Sequence, residues 1–536
     1  MKTDVLYFGD NLEILRNREY FPDECVDLIY LDPPFNSKKD YNILFKENTG
    51  IESEAQIKAF TDSWHWTQAA QDTYHDIVIN GPLKVGKLIG ALHDAIGHND
   101  VMAYLVMMTA RLIEMHRVLK PTGSLYLHCD PTASHYLKLV LDQIFGPANF
   151  RNEIVWKRSH PKGHAFTRFA SNHDVILIYA KNVNRVTWNS QYIPHNLESI
   201  KNQYTLSDPD GRLYQLTSLL NPNPNRPNLT YEFKGVTKVW RWTKNRMLEE
   251  DAKGLIVVPK EGKGIPRYKR YLDEQEGIPV DDFWADIELA TGGERLGYDT
   301  QKPLELLERI IQSSSNEGDI VLDPFCGCGT ALIAAQKLKR HWIGIDITHL
   351  AVNLMRNRLK DTFKIKPEVI GEPKDLSGAK ALAHEDRYQF QYWACGLIGA
   401  RPLGEKKKGA DKGIDGVIQF IDGADDSVKR VIVQVKSGHV GVNAVRELKA
   451  VAASEAIGVF ITLEPPTEPM KVEAIDAGLY HSPIWNKGYP KIQIITVEEL
   501  LKGKTVDMPP QEQTSVTYAK AKRISTPEGE QLSLEQ

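Results

Sequence analysis

Two apolar runs far apart in the chain each stop at an acidic, proline-containing turn, and this recurrence constrains the fold more than any other feature. Val26-Asp27-Leu28-Ile29-Tyr30-Leu31 ends at Asp32-Pro33-Pro34-Phe35. Ile320-Val321-Leu322 ends at Asp323-Pro324-Phe325-Cys326-Gly327-Cys328-Gly329-Thr330, a helical run follows over 331–340, and His341-Trp342-Ile343-Gly344-Ile345 then ends at Asp346. Short apolar runs that stop at acidic Gly/Pro turns read as buried strands meeting the carboxyl edge of a parallel sheet. Ligands of open α/β sheets bind at that edge. The expectation is an α/β fold whose single sheet is assembled from two separated parts of the chain.

Further elements lie between these runs. Residues 101–119 read as a helix ending at Lys120-Pro121-Thr122-Gly123, residues 124–129 (SLYLHC) as a strand followed by Asp130, and residues 175–179 (VILIY) as another strand. The span 182–285 is rich in Asn, Pro, Tyr and Trp with weak periodicity, and reads as an inserted recognition region. Residues 41–100 read as a second insertion.

The 323–330 turn suits a nucleotide-like ligand. Gly327 and Gly329 let the backbone approach closely. The amide N–H groups opening the next helix favour a negative group such as the methionyl carboxylate of S-adenosylmethionine. Asp346, closing the following strand, can accept hydrogen bonds from both ribose hydroxyls. The three-glycine dinucleotide fingerprint and the P-loop lysine are both absent.

The 32–35 turn suits chemistry on an amino group. An adenine or cytosine amino nitrogen is a poor nucleophile because its lone pair is delocalised into the ring. Asp32 can accept one amino hydrogen and the Pro33 carbonyl the other, with Pro33 and Pro34 fixing its direction. Phe35 offers a face on which an extruded base stacks. Methyl transfer then needs placement and electrostatics, without a metal.

These residues, in this order, resemble the amino-group DNA methyltransferases of the permuted β group, in which the catalytic motif (31–36) precedes a recognition region and the cofactor motif (323–330). The resemblance covers about 1–365 apart from the insertions. It implies a Rossmann-like S-adenosylmethionine-dependent sheet and transfer of a methyl group to duplex DNA. It also implies that Lys302 and Pro303, in Thr300-Gln301-Lys302-Pro303, border the methionine end of the cofactor. Asp10, in Gly9-Asp10-Asn11, would reach the adenine side. Segments 152–157 and 173–177 would border the target base. Asp at the first motif position favours adenine N6, and cytosine N4 stays open.

A second domain begins near 370. Gly409-Ala-Asp-Lys-Gly-Ile-Asp415-Gly precedes the strand-like VIQF, and Val431-Ile-Val-Gln434-Val-Lys436 forms a second strand. Adjacent strands would bring Asp415, Gln434 and Lys436 to one edge, where Asp415 and Gln434 could hold Mg²⁺ and Lys436 could activate water. This resembles the Mrr-like branch of the PD-(D/E)xK nucleases over about 385–480. It implies an α/β restriction-endonuclease-like domain, either cutting DNA or only holding it.

The expected organisation is 1–181 as the catalytic half with insertion 41–100, 182–285 as the recognition region, 286–370 as the cofactor half, 371–505 as the endonuclease-like domain, and 506–536 as a flexible tail. The net charge of −4 confines any DNA contact to local basic patches. Arg267-Tyr268-Lys269-Arg270-Tyr271 is one candidate, even with an ordinary exposed strand. Lys406-Lys407-Lys408 is another. Trp64-His65-Trp66 reads as core packing. The five cysteines lack zinc spacing and read as reduced thiols. No apolar run spans a bilayer and no signal core opens the chain, so a cytoplasmic location with no membrane partner is expected. Oligomerisation and restriction or defence partner subunits stay open. So do two rival readings, a non-catalytic DNA-binding protein and a methyltransferase acting on RNA.

Overall fold

The computed structural model describes residues 1–34, 41–43, 57–60, 66–131, 133–160, 169–195, 197–259, 264–290, 294, 301–402, 413–423 and 427–517. The chain divides into two compact units, Ser190–Asp281 and the remainder, Met1–Asn189 with Asp282–Gln536.

The larger unit is built on a nine-stranded sheet. Its spatial order is Phe283–Trp284, Phe150–Lys157, His173–Ala180, Leu119–Cys129, Val26–Leu31, Ile320–Asp323, His341–Asp346, Val5–Phe8 and Glu368–Ile370. From Leu119–Cys129 to Glu368–Ile370 the neighbours are all parallel, while His173–Ala180 runs antiparallel to both its neighbours. The strand from 320 therefore sits between one from the first thirty residues and one that follows it, with Val321 opposite Leu28 and Leu322 opposite Ile29. Val26–Leu31 is buried at every position, as a parallel strand covered by helices on both faces must be. One apolar cluster joins Ile29, Leu31, Leu125, Leu127, Leu322, Ile343 and Ile345 to Leu105, Leu112 and Met115 of the helix Asp100–Val118. Each such side chain stabilises the fold by about 1.5–3 kcal/mol.

Several elements differ from the sequence reading. The strand expected at 124 starts at Leu119, because Val26 pairs with Leu119 and Leu28 with Ser124 across a bulge that absorbs 120–123. Lys120 also pairs with Asp27 at 2.7 Å, holding the Lys-Pro-Thr-Gly stretch to the sheet. Residues 66–100 belong to the sheet's helical cover: Gln68–Asn80 and Leu83–Ile96 contribute Ile77, Val85 and Ile89 to the main core. Trp66 packs there against Tyr74 and stacks on His98 at 4.5 Å. Trp64 and His65 lie outside the described residues.

The C-terminal region forms a five-stranded sheet, Arg401–Pro402, Gly416–Ile421, Val428–Lys436, Ile457–Thr462 and Ile492–Thr496. It is part of the larger compact unit. Helix Arg387–Leu397 lies against helix His349–Phe363 so closely that a Cβ on Gly396 would meet Asn353 at 2.3 Å, and Asn353 Nδ2 donates to the Tyr392 carbonyl at 3.1 Å. Residues 506–517, expected in the tail, dock on this sheet: Val506 and Met508 are buried, and Val516 N donates to the Gln419 carbonyl at 2.9 Å. Residues 518–536 lie outside the described residues.

The smaller unit contains a four-stranded sheet on which Arg267–Tyr271 is an internal strand between Leu213–Ser218 and Ile256–Val257. Lys269, weighed evenly between phosphate contact and an ordinary exposed strand, is mostly buried and pairs with Asp208 at 2.6 Å, and Tyr271 donates to the same carboxylate. Arg267 and Arg270 are exposed.

Candidate active site

Four neighbouring parallel strands deliver Asp32, Asp323, Asp346 and Asp10 to the same carboxyl edge, in that spatial order. Since Leu322 is opposite Ile29, Asp323 is level with Tyr30, and Asp32 lies two residues further along the strand direction.

The glycine turn is built for tightness. Gly327 and Gly329 both have positive φ, +48° and +75°. Gly329 caps the helix Thr330–Lys337 in the left-handed conformation, and a Cβ there would meet Met355 Cγ at 2.8 Å. Gly327 N donates to Asp346 Oδ2 at 2.9 Å, while Thr348 donates to Asp346 Oδ1 through its amide and its hydroxyl, both at 2.9 Å. Asp346 thus orients the turn as well as closing its strand. Desolvation outweighs these hydrogen bonds and raises its pKa to about 6. Asp323 is deeper, 4% exposed. Its Oδ1 accepts from Phe325 N at 3.1 Å, and burial, reinforced by Asp32 and Asp346, pushes its carboxyl well above the usual range.

Arg358, which sequence reasoning missed, sits under this turn almost fully buried. Its Nη1 donates to the Cys328 carbonyl at 3.0 Å and to Thr330 Oγ1 at 3.1 Å. No sequence pattern distinguishes it from other basic residues on the helix His349–Phe363. Cys326 and Cys328 are buried packing thiols, and all five cysteines are free.

Asp32 pairs with Lys302, which precedes the helix Leu304–Ser314 at its Pro303 cap. The resemblance put Lys302 at the cofactor; its observed partner is the carboxylate of the 32–35 turn. Pro33 is buried and Pro34 partly so. Phe35 and Thr300 lie outside the described residues. Asp10 caps the helix Asn11–Arg16 by accepting from Leu12 N at 2.7 Å, and takes both oxygens to Arg111 Nη2 at 2.9 and 3.0 Å. Asn11 Nδ2 donates to the Pro324 carbonyl at 2.7 Å, tying this loop to the 323–330 turn.

A buried polar chain lies beside Asp32, and it includes Asp174 of the segment 173–177. Tyr30 Oη is 3.0 Å from His128 Nδ1, and His128 Nε2 is 3.2 Å from Asp174 Oδ2.

In the C-terminal sheet, Asp415, Gln434 and Lys436 do converge: Val433 and Asp415 share a backbone hydrogen bond of 2.8 Å between the two strands. Among the described residues no cluster of acidic, His or Cys side chains able to hold a metal ion forms here. Asp415 supplies the one carboxylate of the three, and its Oδ2 already accepts from Val435 N at 2.6 Å. Gln434 is neutral and 3% exposed, so Asp415 alone of the three would offset the charge of a cation. Lys406–Lys408 and Asp411 lie outside the described residues.

An open, mostly parallel sheet with an Asp-Pro-Pro turn beside a glycine-containing turn at its carboxyl edge is the architecture of an α/β protein of the methyltransferase type. The N6/N4 DNA methylase family matches residues 26–357, and the chain belongs to it. Residues 401–502 match a second family, described as NACHT-associated inactive restriction endonuclease 1. The type II methyltransferase M.EcaI of Enterobacter cloacae is 32% identical over 291 residues, covering 53% of this chain and 64% of that protein. The type III restriction-modification enzyme StyLTI Mod subunit of Salmonella typhimurium is 25% identical over 348 residues, covering 62% and 49%. The chain thus spans less than two thirds of either relative. The Thermus thermophilus protein TTHA0409, in its complex with S-adenosyl-L-methionine, aligns at 18% identity and a TM-score of 0.33 over 68% of this chain and 97% of that one.

Proposed function

We propose that the chain is an S-adenosylmethionine-dependent DNA methyltransferase of the permuted β group that modifies adenine N6 in duplex DNA. The observation that carries this is the placement of the Asp32-Pro33-Pro34 turn and the 323–330 turn at the ends of adjacent parallel strands. The residues present fit the cofactor: an acid at a strand end, two positive-φ glycines, and the N-terminus of an eight-residue helix.

Asp346 would accept from the ribose hydroxyls and the Thr330 helix terminus would face the methionyl carboxylate. The bound cofactor would supply an electrophilic methyl group on sulfur, with the sulfur keeping the electron pair of the C–S bond that breaks. Asp32 accepts one amino hydrogen and the Pro33 carbonyl accepts the other, drawing the nitrogen toward tetrahedral geometry as its lone pair forms the new C–N bond. The proton then released from nitrogen passes to Asp32 or solvent. Phe35 would stack on the extruded base. Residues 182–285 would read the target sequence.

For the C-terminal domain we propose a DNA-holding role without cleavage, supported by its single engaged carboxylate and its match to a family described as inactive. Restriction partners are suggested by the relatives named as Mod subunits, and a cytoplasmic location by the DNA substrate. Among the described residues no helix is long and apolar enough to cross a membrane.

Base-resolved modification mapping tests the proposal, on DNA from a methylation-deficient bacterial host expressing wild type or Asp32→Ala. N6-methyladenine in one sequence motif, present only with wild type, is the expected result. Methylation at cytosine N4 would overturn the base assignment, and its absence from all bases would overturn the activity.

A further inference from the structure

We infer that His128 and Asp174 are positioning residues for methyl transfer, holding Tyr30 and through it the strand end that carries Asp32 and Pro33. The inference rests on the methyltransferase reading and adds to it a set of residues two steps removed from the reacting atoms.

The sheet register places them. Tyr30 is opposite Tyr126 and Leu31 opposite Leu127, so His128 is level with Asp32 on the neighbouring parallel strand. Side chains alternate along a strand, so Tyr30 and Asp32 project from one face and Tyr126 and His128 from the same one. On that face Tyr126 Oη meets Ser313 and Ser314 Oγ at 3.2 and 2.7 Å, which seats the helix Leu304–Ser314 over the sheet. Lys302, just before that helix, reaches Asp32. The polar groups beneath the helix therefore form one column ending at the Asp-Pro-Pro turn.

The hydrogen-bond roles within the column are fixed by charge. Arg158 Nε lies 3.2 Å from Asp174 Oδ1, and although burial works against its charge, Asp174 stays ionised, held below the usual carboxylate range by the hydrogen bond from His128 and the positive charges of Lys302 and Arg158. An ionised Asp174 only accepts, so His128 Nε2 carries the proton. Burial, with Lys302 adding to it, keeps the imidazole neutral, so Nδ1 is left as an acceptor. Tyr30, buried and held protonated, donates to it. His128 is fully buried and Tyr30 and Asp174 are 2% and 3% exposed. Apolar side chains would fill this space without the desolvation penalty that buried polar groups carry. What the polar chain adds is direction: each member has one partner geometry, and the phenol at its end sits two residues before Asp32.

The test is steady-state and single-turnover methylation by the full chain, wild type against Tyr30→Phe, His128→Leu, His128→Gln and Asp174→Asn. S-adenosylmethionine affinity is measured by calorimetry and melting temperature is followed alongside. Tyr30→Phe removes one oxygen and keeps the packing. It and His128→Leu should lower kcat about 10- to 100-fold, as small misplacements of reacting groups do, while the KM for S-adenosylmethionine and its affinity stay within about twofold. His128→Gln, which keeps a donor and an acceptor, should recover part of the rate. Wild-type kcat in Tyr30→Phe, with the melting temperature unchanged, would overturn the inference, as would equal losses in His128→Gln and His128→Leu. A wild-type protein that neither binds S-adenosylmethionine nor methylates DNA would instead overturn the reading beneath it.

Discussion

Lys302 and Asp32, 270 residues apart in the chain, form an ion pair at the carboxyl edge of the main sheet. Both side chains are more than four-fifths buried, so the pair is poorly screened by solvent. It joins the two halves of the split fold at the carboxylate proposed to hold the target amino group. Lys302→Met and Asp32→Asn should each reduce methylation severely. The double variant should be little worse than Asp32→Asn alone, because residues in direct contact couple by about 0.5–3 kcal/mol. A double-mutant cycle on kcat/KM checks this; additive losses would mean that Lys302 acts elsewhere.

At the proposed cofactor site, Asp346 should make binding pH-dependent. Its raised pKa of about 6 means that protonation is favoured in the fold, and that stability from this group falls as the pH rises from the unfolded-state pKa, about 4, toward 6. Ribose hydroxyls need the ionised form as acceptor. Affinity for S-adenosylmethionine should therefore be steady above pH 6 and weaken by up to about tenfold per pH unit below it. Asp346→Asn should bind weakly at every pH. Calorimetric titration between pH 5 and 8 is the measurement.

Gly329 is constrained twice, by φ of +75° and by Met355, whose Cγ would lie 2.8 Å from any Cβ at this position. Gly329→Ala should lose about 1–2 kcal/mol from the backbone alone, and more from overlap. Adding Met355→Ala should relieve the overlap and leave the backbone penalty. Thermal unfolding of the single and double variants separates the two.

The C-terminal sheet gives an opposite expectation for its signature acid. Asp415 holds the amide of Val435, so Asp415→Ala should destabilise the protein by about 1–3 kcal/mol, the penalty for stranding a buried donor. Wild type incubated with Mg²⁺ should leave both methylated and unmethylated DNA intact. Electrophoresis of plasmid DNA reads this directly, and Mg²⁺-dependent cutting lost in Asp415→Ala would refute it.

The strands at Val26–Leu31, Ile320–Asp323 and His341–Asp346 were legible because strands buried on both faces read as unbroken apolar runs. The paired turns at their ends were legible for the same reason. The helices at 68–96 were not, because Gly86 and Gly90 interrupt the apolar pattern; Gly86 allows close approach, with Ile77 O at 3.1 Å from where its Cβ would be. Asp174 lies in the segment 173–177 that the resemblance places at the target base, but its link to His128 was hidden, since a single polar residue at the end of an apolar strand looks like a boundary. The partner of Lys269 is not legible in the sequence, because a basic-aromatic run carries no sign of which charge an acid sixty residues away neutralises. The pairing of Lys302 with Asp32 exists only once the two halves meet.

The seam between Val26–Leu31 and Ile320–Asp323 also sets a timetable for synthesis. The first of these strands leaves the ribosome with an open hydrogen-bonding edge, and its neighbour is translated about 15 to 60 s later at ordinary bacterial rates of about 5–20 residues per second. Until then the edge is a template for unwanted pairing. The nascent amino-terminal half must be shielded by its own helices or by chaperones, and it cannot hold cofactor before the late strands slot in. The proposed cofactor site is thus incomplete in every truncated product that ends before residue 346.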